Sequence, residues 1–195
     1  MSHNIKDLVA ELRDLEDKLR EALYEQKTRE LFSIDGLKIR FDPDVAKEHR
    51  SRMKGVWGWF WASRPQNILS APFIYGMVGP MALYDLFLSL YQAICFPLYG
   101  IPKVRRSSYI RIDRHHLGYL NLVERLNCIY CGYGNGLLAY AAEITSRTEQ
   151  YWCPIKHAHK LLGTHTRYAH FLDYGDAEDY PERLEEMRQK LREEA

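Results

Sequence analysis

The chain has 195 residues with 27 basic and 26 acidic side chains, a near-neutral balance that gives no basis for nucleic-acid binding. Its first residues lack a positive segment followed by an apolar one, so we expect no cleavable signal peptide. Four cysteines without such a signal indicate a reducing compartment, which argues against a small disulfide-stapled secreted domain.

The first segment, residues 1–31, has a helical apolar repeat. Its apolar side chains alternate three and four residues apart, the a/d spacing of a coiled coil, at Ile5, Leu8, Leu12, Leu15, Leu19 and Ala22. The repeat predicts an amphipathic helix over residues 4–31 with Asn4 as its N-cap. Because the heptad lasts for fewer than four repeats, two readings stay open: a homo-oligomer or helical partner, and a helix packed on its own domain.

The second segment, residues 32–64, combines basic and aromatic side chains. IDGLKIRF predicts a strand or turn, and Asp42-Pro43 begins a basic helix. An aromatic cluster follows, ahead of Arg64, with Trp57, Trp59, Phe60 and Trp61. Tryptophan beside basic residues is typical of a membrane–water interface, and the alternative is an aromatic core cluster.

The third segment, residues 65–102, contains one formal charge, Asp85, in 38 residues. Glycine and proline at 76–80 divide it into a limb too short to cross a bilayer and a longer one. Basic residues flank it on both sides, with Arg64 before it and Lys103, Arg105 and Arg106 after it. We therefore predict a monotopic or re-entrant hairpin on the cytoplasmic side. Two full crossings and a buried core hairpin are the alternatives, and Asp85 is either a structural contact or a functional acid.

The fourth segment, residues 103–175, is rich in cysteine and histidine. Its Cys128-x-x-Cys131-Gly132 sequence resembles the metal knuckle of zinc ribbons and rubredoxins. Cys153 and His157 are candidates for the other two ligands, so the pattern predicts a Cys3His site for zinc or, alternatively, iron. This site requires the chain to double back near residues 145–146, after glycines at 132, 134 and 136 have ended a first helix.

Two alternatives to this metal site stay open. A straight helical hairpin turning near residue 134 would gather His115, His116, Cys153 and His157 at one end, with Glu124 and Glu143 midway. The other alternative has no metal, and leaves Cys128 and Cys131 as a buried or redox-active pair.

Residues 107–157 also resemble a block of a bacterial membrane-associated protein family without an assigned reaction, on the stretch YLNLVERLNCIYCGYGNGLLAYAAEI and the following RTEQYWCPIKH. The resemblance implies a bacterial origin and adds no catalytic residue.

Together these patterns predict a mainly α-helical protein with a charged C-terminal helix over residues 176–195. The predicted function is a scaffold or accessory factor with a structural metal, bound to lipid at the cytoplasmic face of the bacterial inner membrane. The alternative is a metal- or thiol-dependent redox enzyme acting on a lipophilic substrate. Its candidate catalytic residues are Asp85, His115, His116 and Glu124.

Overall fold

The structure is a computed structural model that describes residues 11–12, 14–23, 32–35, 38–53 and 55–194. It is mainly α-helical with very little strand, which confirms the predicted fold class. The chain divides into two compact units, one formed by residues 1–62 with His115–Arg125 and one by Ser63–Arg114 with Leu126–Ala195. The predicted N-cap Asn4 lies outside the described residues.

The first unit contains helices and one β-hairpin. Helix α1 is described over residues 11–12 and 14–23. Strands β1 (Phe32–Asp35) and β2 (Lys38–Phe41) pair antiparallel, and helices α2 (Pro43–Arg52) and α3 (Val56–Ala62) follow. The Asp42 carboxylate accepts a hydrogen bond from the Asp44 N–H at 3.0 Å, so α2 begins where the sequence predicts. The ring of His49 packs against Phe41 and Tyr119.

The second unit is built on long helices. Its elements are α4 (Pro65–Gly76), α5 (Val78–Tyr99) and α6 (Arg106–Tyr109), then most of α7 (Leu122–Trp152), and finally α8 (Tyr180–Glu193). A 3-10 helix, Thr166–His170, lies between α7 and α8. The buried core joins α5, the segment after it, α7 and α8 through Leu88, Phe96, Ile101, Val104, Leu137, Tyr140, Ala141, Ile144 and Leu191.

The predicted hairpin over residues 65–102 is wrong, because α4 and α5 form a single bent helix. Met77, between them, keeps right-handed helical dihedrals (φ −66°, ψ −15°), and one such residue cannot reverse the chain. The 35-residue helix Pro65–Tyr99 is long and apolar enough to cross a membrane by length and composition alone. Only 6% of its most apolar window is buried, so it is not a buried core hairpin either.

Helix α7 runs parallel to this bent helix. Tyr75, near the end of α4, contacts Asn127 near the start of α7. Further along, Tyr91 contacts Thr148, and Tyr99 contacts Trp152 where both helices end. The connecting segment therefore has to return along the pair before α7 begins. It does so in the groove between them, where the Val104 N–H donates to Gln92 Oε1 at 3.0 Å.

The sequence predicts that the glycines at 132, 134 and 136 end a helix. That prediction is wrong, because all three lie inside α7. The returning segment packs against two of them. A Cβ on Gly136 would lie 2.7 Å from the Tyr109 carbonyl oxygen, and one on Gly132 would lie 3.1 Å from that of Arg111. The glycines thus allow the returning segment to lie directly on the helix backbone.

Helix α8 closes the second unit, and the prediction of a charged C-terminal helix is confirmed over Tyr180–Glu193. It is not fully solvated, because Leu191 is completely buried in the core. Arg167 links α8 to α7: its guanidinium donates to Glu194 at 2.6 Å, to Glu143 at 2.9 Å and to Gln150 at 3.0 Å.

Candidate functional site

The bent helix has two faces of opposite character. The buried residues of α5 recur at three- and four-residue spacing, namely Asp85, Leu88, Gln92 and Phe96, so they form one stripe. Two of these four side chains are polar, and both have partners in the second unit. Gln92 donates to Tyr140 on α7 and to the Val104 carbonyl, so α7 and the returning segment together satisfy its buried amide.

Asp85 is the charged residue of this apolar stretch, and only 8% of it is exposed. Its carboxylate receives hydrogen bonds from Arg106 Nη2 at 2.6 Å and Nε at 3.1 Å, and from the Tyr133 hydroxyl at 3.0 Å. Burial, and then the hydrogen bond to Asp85, raise the pKa of Tyr133, so its hydroxyl stays protonated and donating. Asp85 therefore makes structural contacts, and Arg106, predicted as an interface residue, is its partner.

The opposite face of the bent helix is apolar and uncovered. Large side chains along both α4 and α5 are more than half exposed at helical spacing, namely Leu69, Phe73, Met77, Leu83, Phe87, Ile94 and Leu98. We call these seven residues the outer apolar face. Leu69, Phe73 and Leu98 are each about three-quarters exposed (76%, 77% and 74%), so this is a continuous stripe along the helix rather than a scatter of single residues.

The tryptophan cluster before this helix is also exposed. Trp57 is 77% exposed and Trp61 80%, and Phe60 is 43% exposed. These values exclude the alternative of an aromatic core for the two tryptophans. The side chain of Trp59 lies outside the described residues.

The predicted Cys3His site is wrong, because its four residues lie at the two ends of one helix. α7 runs without a break from Leu122 to Trp152, so Cys131 and Cys153 are about 33 Å apart along its axis at 1.5 Å per residue. They cannot share an ion. Within the described residues no group of three or more histidine, cysteine or acidic side chains is arranged to hold a metal.

The histidine–carboxylate alternative is also wrong, because it requires a turn near residue 134 and α7 is continuous there. His157 contacts Tyr168 instead: its backbone N–H donates to the Tyr168 hydroxyl at 2.7 Å, and the two rings stack. His115 and His116 lie ring to ring, with centroids 3.9 Å apart. The thiols of Cys128 and Cys131 are free, one half-buried and one exposed.

Glu124, a candidate acid in the sequence, forms a helix cap. Its carboxylate accepts from the Asn121 N–H at 2.9 Å, and the Asn121 side chain accepts from the Glu124 N–H at 3.0 Å. This reciprocal pair is a capping box at the start of α7. The sequence signal that could have identified this cap is an Asn three residues before a Glu.

The cap gives a test that separates a structural role of Glu124 from a catalytic one. We expect Glu124→Ala to lower the free energy of unfolding by about 1 kcal/mol, because the Asn121 N–H loses its carboxylate acceptor while the bond from the residue 124 N–H to the Asn121 side chain remains. Glu124→Gln should retain most of that stability, since a glutamine oxygen can still accept from Asn121. Urea unfolding of the two variants checks this, and an equal loss in both would contradict the capping role.

No protein family, curated protein or solved structure matched this chain when it was compared with each. Its most distinctive surface among the described residues is the outer apolar face.

Proposed function

We propose that the protein is a monotopic membrane-associated scaffold or accessory factor, bound to lipid through the outer apolar face. The single observation that carries this proposal is the uncharged, exposed stripe from Leu69 to Leu98. Leaving so much contiguous apolar surface in water is unfavourable, and such patches mark sites of contact with a membrane or another protein.

The packing of α7 favours a helix lying in the interface over one that spans the bilayer. The Tyr91–Thr148 contact sets α7 beside the second half of α5, and α7 carries the ionised pair Glu143 and Arg147 in this stretch. A spanning helix would bring these charges to the depth of the hydrocarbon, at a cost of several kcal/mol each. A helix in the plane of the interface buries only the apolar side.

The residues flanking the bent helix suit an interface. Trp57 and Trp61 precede it together with Arg64, and Lys103 and Arg105 follow it, all of them exposed. Indole rings settle at the headgroup level, and cationic side chains are attracted to anionic lipids. In this proposal both flanks lie on the cytoplasmic face of a bacterial inner membrane.

Helix α1 is the basis for proposing a scaffold role. Four of its leucines are at least half exposed, at spacings of three, four and four residues, namely Leu12, Leu15, Leu19 and Leu23. An apolar stripe at this spacing fits the seam of a coiled coil, either between two copies of this chain or with another helical protein. A structural metal bound by the four predicted ligands is no longer part of the proposal.

The membrane association is tested by placing a charge on the outer apolar face. We expect Phe87→Glu to weaken binding to phosphatidylethanolamine–phosphatidylglycerol vesicles at least about tenfold, because a carboxylate replaces an inserted ring. Phe87 is 61% exposed, so the substitution leaves the core intact. Co-sedimentation with vesicles measures the binding.

The matched control adds the same charge elsewhere. Gln189→Glu lies on an exposed position of α8 and should leave binding within about twofold. Circular dichroism of both variants checks that they are folded. If Phe87→Glu binds vesicles as the wild type does, lipid contact through this face is ruled out.

A further inference from the structure

The loop between α7 and the 3-10 helix Thr166–His170 presents two adjacent leucines at its tip. Leu162 is 92% exposed, the highest value among the large apolar side chains described, and Leu161 is 44% exposed. Gly163 follows them with φ +71°, a left-handed conformation that suits glycine and turns the chain. Residues 158–164 are all exposed.

Hydrogen bonds hold the base of this loop on both sides. On one side, Lys156 N–H donates to the Leu172 carbonyl at 2.7 Å and Leu172 N–H donates to the Pro154 carbonyl at 2.8 Å. On the other, His165 Nε2 lies 2.8 Å from Glu149 Oε2 on α7. Phe171 and Leu172 beneath it are buried, at 3% and 4% exposure. A fixed base that projects an apolar tip is suited to insertion, since little order is lost on binding.

The loop also begins near the end of α5, the helix that carries the second half of the outer apolar face. The rings of Tyr99 and Trp152 lie 5.3 Å apart, so the end of α7 is beside the end of α5. Trp152, the last residue of α7, is 51% exposed, and Leu98, next to Tyr99 in α5, is 74% exposed, so the loop starts beside exposed apolar side chains at the ends of both helices. Next to the leucines are His159 and Lys160, polar and exposed side chains of the kind found at lipid headgroups.

We propose that Leu161 and Leu162 form a second point of membrane insertion, which acts together with the outer apolar face. The inference rests on the membrane association proposed above. Two adjacent leucines beside a cationic residue fit the boundary between headgroups and acyl chains, where the apolar side chains enter and the ammonium group stays at the surface.

The experiment places an environment-sensitive fluorophore at single cysteines in the full-length chain. Leu162→Cys tests the loop, Phe87→Cys reports on the outer apolar face, and Glu186→Cys on the exposed side of α8 is the control. The four native cysteines are replaced by serine. On phosphatidylethanolamine–phosphatidylglycerol vesicles we expect blue-shifted emission at 162 and 87 and none at 186. Leu161→Ser/Leu162→Ser, unlabelled, should bind vesicles about tenfold more weakly.

The two probes separate failure of this inference from failure of the proposed function. A shift at 87 without one at 162 overturns insertion of the loop and leaves the membrane association standing. The same result is expected if the leucines dock on a protein rather than on lipid. No shift at either position overturns both. Wild-type binding by the doubly substituted chain also overturns insertion of the loop.

Discussion

Replacing Gly136 by alanine is expected to lower the free energy of unfolding by about 2 kcal/mol. The new Cβ would lie 2.7 Å from the Tyr109 carbonyl oxygen and 2.8 Å from the Ile110 Cα, closer than carbon atoms approach in folded proteins. Both obstacles are backbone atoms of the returning segment, which cannot rotate away as a side chain can. Because neither obstacle can move aside, we expect an overpacking cost at the upper end of the usual range, about 3 kcal/mol, and the gain of about 1 kcal/mol in helix propensity leaves a net loss of about 2 kcal/mol.

Gly134→Ala is the matched control, in the same helix two residues earlier. Its Cβ would lie 3.4 Å from Met81 Sδ, an ordinary contact with a flexible side chain. Only the propensity gain then remains, and we expect equal or slightly higher stability, by up to about 1 kcal/mol. Urea unfolding followed by circular dichroism compares the two variants. Equal stabilities would mean that the returning segment does not lie against α7 at Gly136.

The glycines show why the sequence misled on this region. In a single sequence, three glycines within five residues suggest the end of a helix, because each costs about 1 kcal/mol relative to alanine. Their actual reason is tertiary: residues 109–111, distant along the chain, lie on the helix backbone. Local pattern carries no information about that neighbour. The predicted metal site required the helix to end at these glycines, and in the unbroken α7 its ligands cannot meet.

Other features could be predicted from the sequence because they depend on local interactions. The strand predicted in IDGLKIRF and the start of α2 follow from residues within a few positions of one another, and the charged C-terminal helix follows from its composition. The pairing of that strand with β1 was not predicted. The parallel packing of α5 and α7 was not readable, because it depends on contacts about 50 residues apart. A single charge in an apolar stretch indicates that it has an ion-pair partner. The basic residues just after the stretch were candidates for the partner of Asp85, and Arg106 is that partner.

Protonation of Glu143 is expected to make the second unit acid-labile. Its side chain is only 18% exposed, and Oε1 accepts from Arg147 at 2.8 Å and from Arg167 at 2.9 Å. Burial alone would raise the pKa of Glu143, but the hydrogen bonds from these two arginines outweigh it and lower the pKa. A carboxyl whose pKa is lower in the folded state contributes its stability above its unfolded pKa of about 4.3 and loses it as the pH falls through the folded value.

Glu143→Gln should therefore lower the free energy of unfolding by about 2 kcal/mol at neutral pH, since the arginines lose a charged acceptor. The difference from the wild type should begin to shrink as the pH falls below about 4 and should vanish only below the lowered folded pKa of Glu143, where the wild-type carboxyl is also neutral. Glu185→Gln on α8 is the control. Its side chain is 55% exposed beside Arg188 and Arg192, so we expect no measurable loss. Urea unfolding across this pH range measures both variants. A Glu143→Gln deficit that persists unchanged in acid would mean that the loss comes from altered packing rather than from the charge.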